Sequence, residues 1–117
     1  MIQLNYRDSR PIYEQIKDGF RKLIMQGVMK ADEKLPSVRE MATTLTINPN
    51  TIQRAYRELE QEGYVYMVAG KGSFVAGVPK ADEKRKKELW NVFDSTVEEL
   101  RFLGTTVEEM TEHLKKM

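Results

Sequence analysis

The chain contains no cysteine, which excludes a disulfide framework and any metal site built on thiolates. Histidine occurs once, at His113, where a polar helix face makes it a surface residue rather than a ligand. Neither it nor any Ser or Asp forms a nucleophile-and-base pair that the spacing supports. No apolar run approaches the roughly 18 residues of a transmembrane helix, and the opening MIQLNYR lacks the apolar centre of a signal peptide. Neither sign of charge dominates, with 19 Lys and Arg against 18 Asp and Glu, so net charge alone says nothing about a nucleic-acid partner. Internal repeats and low-complexity segments are absent as well. These absences lead to the expectation of a cytoplasmic protein with no membrane partner, no cofactor, no metal and no enzymatic activity.

What remains is 117 residues, 40% of them hydrophobic, enough for one compact domain with a small appendage. Charge is distributed unevenly along the chain. Residues 1–80 hold 12 Lys and Arg against 9 Asp and Glu, whereas residues 81–117 hold 7 against 9. The first segment is thus the positive one.

Apolar residues set the element pattern. Pro11 opens a helical segment in which Ile12, Ile16, Phe20, Leu23 and Ile24 recur at spacings of three and four, and Gly27 ends it. A polar loop from Lys30 to Lys34 follows. Ser37 and Glu40 have the spacing of a capping box and start a short helix with Val38, Met41, Ala42 and Leu45 inward. The chain turns at Thr46 and Ile47. Asn48 as N-cap and Pro49 at the first helical position start another helix, over 49–62, with Ile52, Ala55, Tyr56 and Leu59 as its buried stripe. Gly63 stops it. The period then drops to two: 64–68 reads as a strand, 69–72 as a glycine-bearing turn and 73–75 as the returning strand.

Beyond Val78 and Pro79, a polar stretch over 81–87 precedes a second helical region. Leu89, Phe93, Val97, Leu100 and Leu103 form its stripe with Trp90 beside it; Gly104 breaks it, and a second capping box, Thr106 with Glu109, starts a last helix with Val107, Met110, Leu114 and Met117 on its apolar face. The fold class is therefore mainly α with a small β-hairpin. A winged helix-turn-helix domain over 1–78 is expected, followed by a two-helix dimerisation tail over 79–117.

The pair of short helices over 37–45 and 49–62 has the form of a DNA-reading unit, the second helix lying in the major groove. Once its stripe is buried, that helix displays Asn50, Thr51, Gln53, Arg54 and Arg57, with Asn48 at the cap, and no acid in its first residues. Glu58, Glu60 and Glu62 come later, toward the end expected to point away from the groove. Gly70, Lys71 and Gly72 at the hairpin tip can bring backbone N–H groups and an ammonium to phosphate. Arg39, near the start of the bracing helix, can join backbone amides in clamping another.

The strings PIYEQI at 11–16, LPSVREMA at 35–42, NPNTIQRAYREL at 48–59, EG at 62–63 and GKGSFV at 70–75 together resemble the N-terminal domain of the GntR family of bacterial regulators, over residues 10 to about 76. The resemblance implies DNA contacts at Arg39, Asn48, Asn50, Thr51, Gln53, Arg54, Gly70, Lys71 and Gly72. Only about 40 residues remain for a C-terminal part, too few for a large effector-binding or aminotransferase-like domain. The short tail resembles the YtrA-like branch, which implies a dimeric repressor of double-stranded DNA, often encoded beside ABC transporters. NPNT at 48–51 stands where many other members carry an Arg-containing version, so the base preference is not transferable.

Blander readings compete at single residues. Arg54 lies four residues before Glu58, the spacing of a plain surface ion pair. Lys71 at an exposed tip can serve solubility alone, and Glu98, Glu99, Glu108, Glu109 and Glu112 read as a solvated face. Trp90 and Phe93 suit a ligand pocket or an interface; interfaces are richer in aromatics. Two short helices with one apolar stripe each cannot bury those stripes alone, which points to a homodimer through Leu89, Trp90, Phe93, Val97, Leu100, Leu103, Met110 and Leu114. A twofold dimer implies a pseudo-palindromic operator. A winged helix that docks protein instead of DNA is the other reading, and a small-molecule effector is compatible with the sequence, which identifies none.

Overall fold

The computed structural model describes residues 2–117. Five helices and one hairpin follow in the order α1 (Ile12–Met25), α2 (Val38–Leu45), α3 (Pro49–Gln61), β1 (Val65–Val68), β2 (Gly72–Val75), α4 (Lys80–Phe102) and α5 (Val107–Lys115). They fall into two compact units, residues 1–79 and 80–117.

In the first unit, α3 is the element on which the others are built, with α1, α2 and β1 all packed against it. Its expected stripe is buried in full: Ile52, Ala55 and Leu59 are 0% exposed and Tyr56 is 3% exposed. Ile16, Phe20 and Ile24 of α1 and Met41 and Ala42 of α2 meet that stripe, and Phe20 sets its ring edge-on to Tyr56. Val38 and Leu45 lie at the margin, partly buried. The Tyr56 hydroxyl crosses the core to donate to the Pro36 carbonyl oxygen at 2.6 Å. Burial raises its pKa, so this donor stays protonated, and it ties α3 to the segment that starts α2.

The caps that the sequence suggests are formed, with differences in detail. Pro11 is the N-cap of α1 rather than its first residue. Ser37 Oγ accepts from the Glu40 N–H at 3.0 Å, but the return bond from the Glu40 side chain is missing among the described residues; the start of α2 is exposed, and water competes for that carboxylate. Asn48 Oδ1 accepts from the Asn50 N–H at 2.8 Å, while Thr106 and Glu109 make both halves of their box. The turn between α2 and α3 passes through Thr46 at φ 55°, a left-handed backbone that costs a β-branched residue strain.

The wing differs from the sequence reading by one residue at the start of each strand. Tyr64 precedes β1, and Gly72 belongs to β2, paired with Val68. Residues 32–35, expected as a loop, run along the outer edge of β2: the Asp32 N–H donates to the Val75 carbonyl at 2.7 Å, the Leu35 N–H to that of Ser73 at 2.9 Å and the Val75 N–H to that of Glu33 at 2.8 Å. A segment of Lys, Asp and Glu shows no alternation of apolar residues, so periodicity missed it; its pairing is a backbone matter.

The second unit departs from expectation at its start. Residues 81–87 are helical and belong to the 23-residue α4. Lys, Arg, Glu and Ala favour helix without any apolar period to announce it. No residue of α4 or α5 is buried. Among the described residues no helix is long and apolar enough to cross a membrane.

Candidate nucleic-acid interface

With its apolar stripe committed to the core, α3 turns Asn50, Gln53, Arg54 and Arg57 outward, together with Glu58 and Gln61, and these six line one shallow concavity. Asn48 and Asn50 are exposed at the helix start and Thr51 is half-buried. The surface thus combines amide and guanidinium donors in a strip about three turns long, on the kind of helix face that meets base edges in a major groove. Glu58 was expected to lie beyond this strip. It lies within it instead, because residues four apart share a helix face.

The cations on this side differ in how they are held. Arg39, Arg57 and Lys71 have no acidic partner among the described residues. The surface ion pair weighed for Arg54 does form, with Nε at 3.4 Å from Glu58 Oε2. Arg54 is held on a second side as well, its Cζ lying 3.7 Å from the centroid of the Tyr13 ring. Glu58 Oε1 accepts from Lys17 Nζ at 3.1 Å, and the same ammonium reaches Glu62 Oε2 at 3.0 Å. The bond from Lys17 holds the Glu58 carboxyl below its ordinary pKa, and the bond to Glu62 raises that of Lys17, so both stay charged.

Arg39 follows the first residue of α2, next to a groove it lines with Val38, Thr43 and Pro49. The N–H groups of Val38 and Arg39 are left over by the helix ladder, as at any helix start. At the wing tip Gly70 has φ 76° and Gly72 φ 117°, conformations that an L side chain strains to adopt. The Lys71 N–H donates back to the Val68 carbonyl at 2.9 Å. That backbone donor is consumed by the turn, so the residue offers only its ammonium. A side chain added at Gly72 would meet Lys34 Cε at 3.1 Å.

Sequence reading missed three of these residues. Tyr13 and Lys17 lie on α1 and reach this surface only because α1 packs on α3. Lys34 arrives by the pairing of residues 32–35 with β2. Tyr13 belongs to the PIYEQI string, which was a signal without a role attached; Lys34 carried none. The Asp32 carboxylate accepts from the Tyr66 hydroxyl at 2.8 Å, a bond that raises the tyrosine's pKa.

The tail residues expected at an interface lie open. Leu89 is 48% exposed, Trp90 56%, Phe93 41%, Leu100 37%, Leu103 72% and Leu114 54%. Val97 and Met110 are partly buried. Trp90 and Phe93 contact each other edge-to-face at 5.3 Å. His113 is in the last turn of α5, exposed.

Residues 12–75, more than half of the chain, match the bacterial regulatory proteins of the gntR family. The chain belongs to the GntR family. This GntR protein is 36% identical over its whole length, and over 92% of the relative's, to the HTH-type transcriptional repressor YtrA of Bacillus subtilis strain 168, which places it in the YtrA-like branch. A GntR family transcriptional regulator from Listeria monocytogenes shares its fold at a TM-score of 0.63, with 37% identity over 94% of this chain and 97% of that one. The crystal structure of the DNA-binding domain of AraR with operator ORR3 matches 63% of this chain and 89% of its own at a TM-score of 0.56 and 32% identity. The protein is a transcriptional regulator of this family, mainly helical, with a DNA-binding winged helix followed by C-terminal helices.

Proposed function

We propose that this GntR protein is a homodimeric repressor that occupies a pseudo-palindromic operator in double-stranded DNA, with residues 1–78 reading the DNA and residues 79–117 joining the two copies. The observation that carries the reading is the outer strip of α3. Asn50, Gln53, Arg54 and Arg57 project from a helix whose other side is wholly buried, which is the condition for inserting a rigid helix into a major groove. Asn48 and Thr51 at its start, Arg39 on α2 and Gly70, Lys71 and Gly72 on the wing flank that strip with donors for phosphate. The solved AraR domain with its operator supports this use of the fold.

Dimerisation is supported by the tail. Leu89, Phe93, Val97 and Leu100 follow one another at four, four and three residues, hence on one helix face, and none of them is buried. A second copy offers the same stripe in return. The protein acts in the cytoplasm, with transporter genes as the targets that the YtrA-like resemblance implies.

Selection from random duplex DNA by the purified protein, with the salt dependence of the winning site, tests the reading. A pseudo-palindromic winner with a steep salt slope is expected. Arg39→Ala should weaken binding to all sequences alike and lower the slope by about one, whereas Gln53→Ala should relax base preference by roughly 1–3 kcal/mol if its contact is bidentate. Absence of enrichment even at low salt would favour a protein-docking winged helix.

A further inference from the structure

Unlike Arg39, Arg57 and Lys71, Arg54 is braced from two directions before any ligand arrives. The Tyr13 ring lies against the guanidinium at 3.7 Å from Cζ, and the Glu58 carboxylate takes Nε at 3.4 Å. Neither brace is loose. Tyr13 is half-buried on α1 and packs against the core, and Glu58 is held at its other oxygen by Lys17, which also grips Glu62. The side chain of Arg54 is nevertheless 57% exposed, and among the described residues its two Nη groups have no acceptor.

A guanidinium has five N–H donors in one plane. With Nε committed and one face covered, what is left open is the outer edge, where the Nη groups present parallel donors. That edge matches the paired O6 and N7 acceptors that guanine alone presents in the major groove. A surface arginine ordinarily gives up much rotational freedom when it binds; one already held in its plane gives up less. The ion pair that reads as a competitor for DNA is thus compatible with a DNA contact, because it occupies a donor that the contact does not need.

We propose that Tyr13 of α1 and Glu58, itself anchored by Lys17, are positioning residues that hold Arg54 to read one guanine in each operator half-site. The proposal rests on the DNA-reading role of α3 given above. It assigns part of the specificity to α1, outside the helix-turn-helix, and gives an acidic residue in a DNA-facing strip a constructive task. Glu58 repels phosphate and yet sharpens base choice.

The test uses the full chain and its selected duplex, compared with duplexes carrying every single base-pair change in one half-site, at several salt concentrations. In the wild type one G·C pair should depend on Arg54, with Arg54→Ala removing roughly tenfold or more of the discrimination at that pair. Tyr13→Leu should reduce discrimination at the same pair and nowhere else, leaving the salt slope unchanged, while Tyr13→Phe retains it. Glu58→Gln should bind DNA more tightly overall and discriminate less at that pair. In the Arg54→Ala background, Tyr13→Leu should have no further effect on discrimination. Thermal unfolding of each variant shows that it is folded. A Tyr13→Phe protein as defective as Tyr13→Leu, or a uniform loss with a shallower salt slope, would make Tyr13 a phosphate contact and overturn the proposal. Unchanged discrimination in both Tyr13→Leu and Glu58→Gln would overturn it too. A wild type that binds no DNA would instead defeat the reading on which it rests.

Discussion

Residues 1–79 and 80–117 are made of the same material, capped helices with an apolar face, yet every buried hydrophobic side chain lies in the first unit. Apolar residues recur at helical spacing in both. Thr106 even makes the complete capping box that Ser37 makes only by half. The difference is in what an apolar face has to meet. In the first unit α1, α2 and the hairpin surround one stripe on α3, whereas no residue of α4 or α5 is buried. A helix forms by local rules, but its apolar face is stabilised only by a second surface. On α4 the apolar residues Leu89, Phe93 and Leu100 stay exposed.

Substitution of a leucine in each unit should break the comparison most sharply. Leu59→Ala removes a side chain with no exposure at the centre of the first unit and should cost about 2–5 kcal/mol in denaturant unfolding. A loss below 1 kcal/mol would mean that α3 is not anchored there. Leu100→Asp, by contrast, should leave the winged domain folded and halve the mass seen by light scattering; a surviving dimer would move the interface away from the stripe. Tyr56→Phe should cost about 1 kcal/mol, because the Pro36 carbonyl loses its donor while the packing against Phe20 is kept. No change on thermal unfolding would mean that water replaces the hydroxyl freely. The smallest effect is expected at Thr46, held at φ 55°. Thr46→Asn should stabilise by up to about 1 kcal/mol, since asparagine tolerates the left-handed turn better, and a destabilised protein would point to an unrecognised role for the threonine side chain.

Much of the first unit could be read from residue order. Ile52, Ala55, Tyr56 and Leu59 announce a buried face by spacing alone, and Ser37 and Asn48 announce helix starts by the chemistry of their side chains. These features involve residues within about one or two turns of each other, so local sequence contains their cause. The helix over 81–87 was missed because charged helix formers leave no apolar period, and residues 32–35 because backbone pairing leaves no side-chain signature. At the interface, the outward residues of α3 were legible as what remains once the stripe is buried. The placement of Glu58 among them was misjudged by weighing distance along the chain over the four-residue return of the helix.

The apolar stripes, the helix starts at Ser37, Asn48 and Thr106, the hairpin and the outward face of α3 were settled by residue order, since each depends on neighbours a few residues apart. It takes the packing of α1 on α3 to bring Tyr13 and Lys17, some 40 residues before Arg54 and Glu58, against the outer strip of α3, and the pairing of residues 32–35 with β2 to set Lys34 beside the wing at Gly72. Contacts between side chains on different elements depend on how those elements pack, and packing is settled by the shape of the whole core rather than by any local pattern.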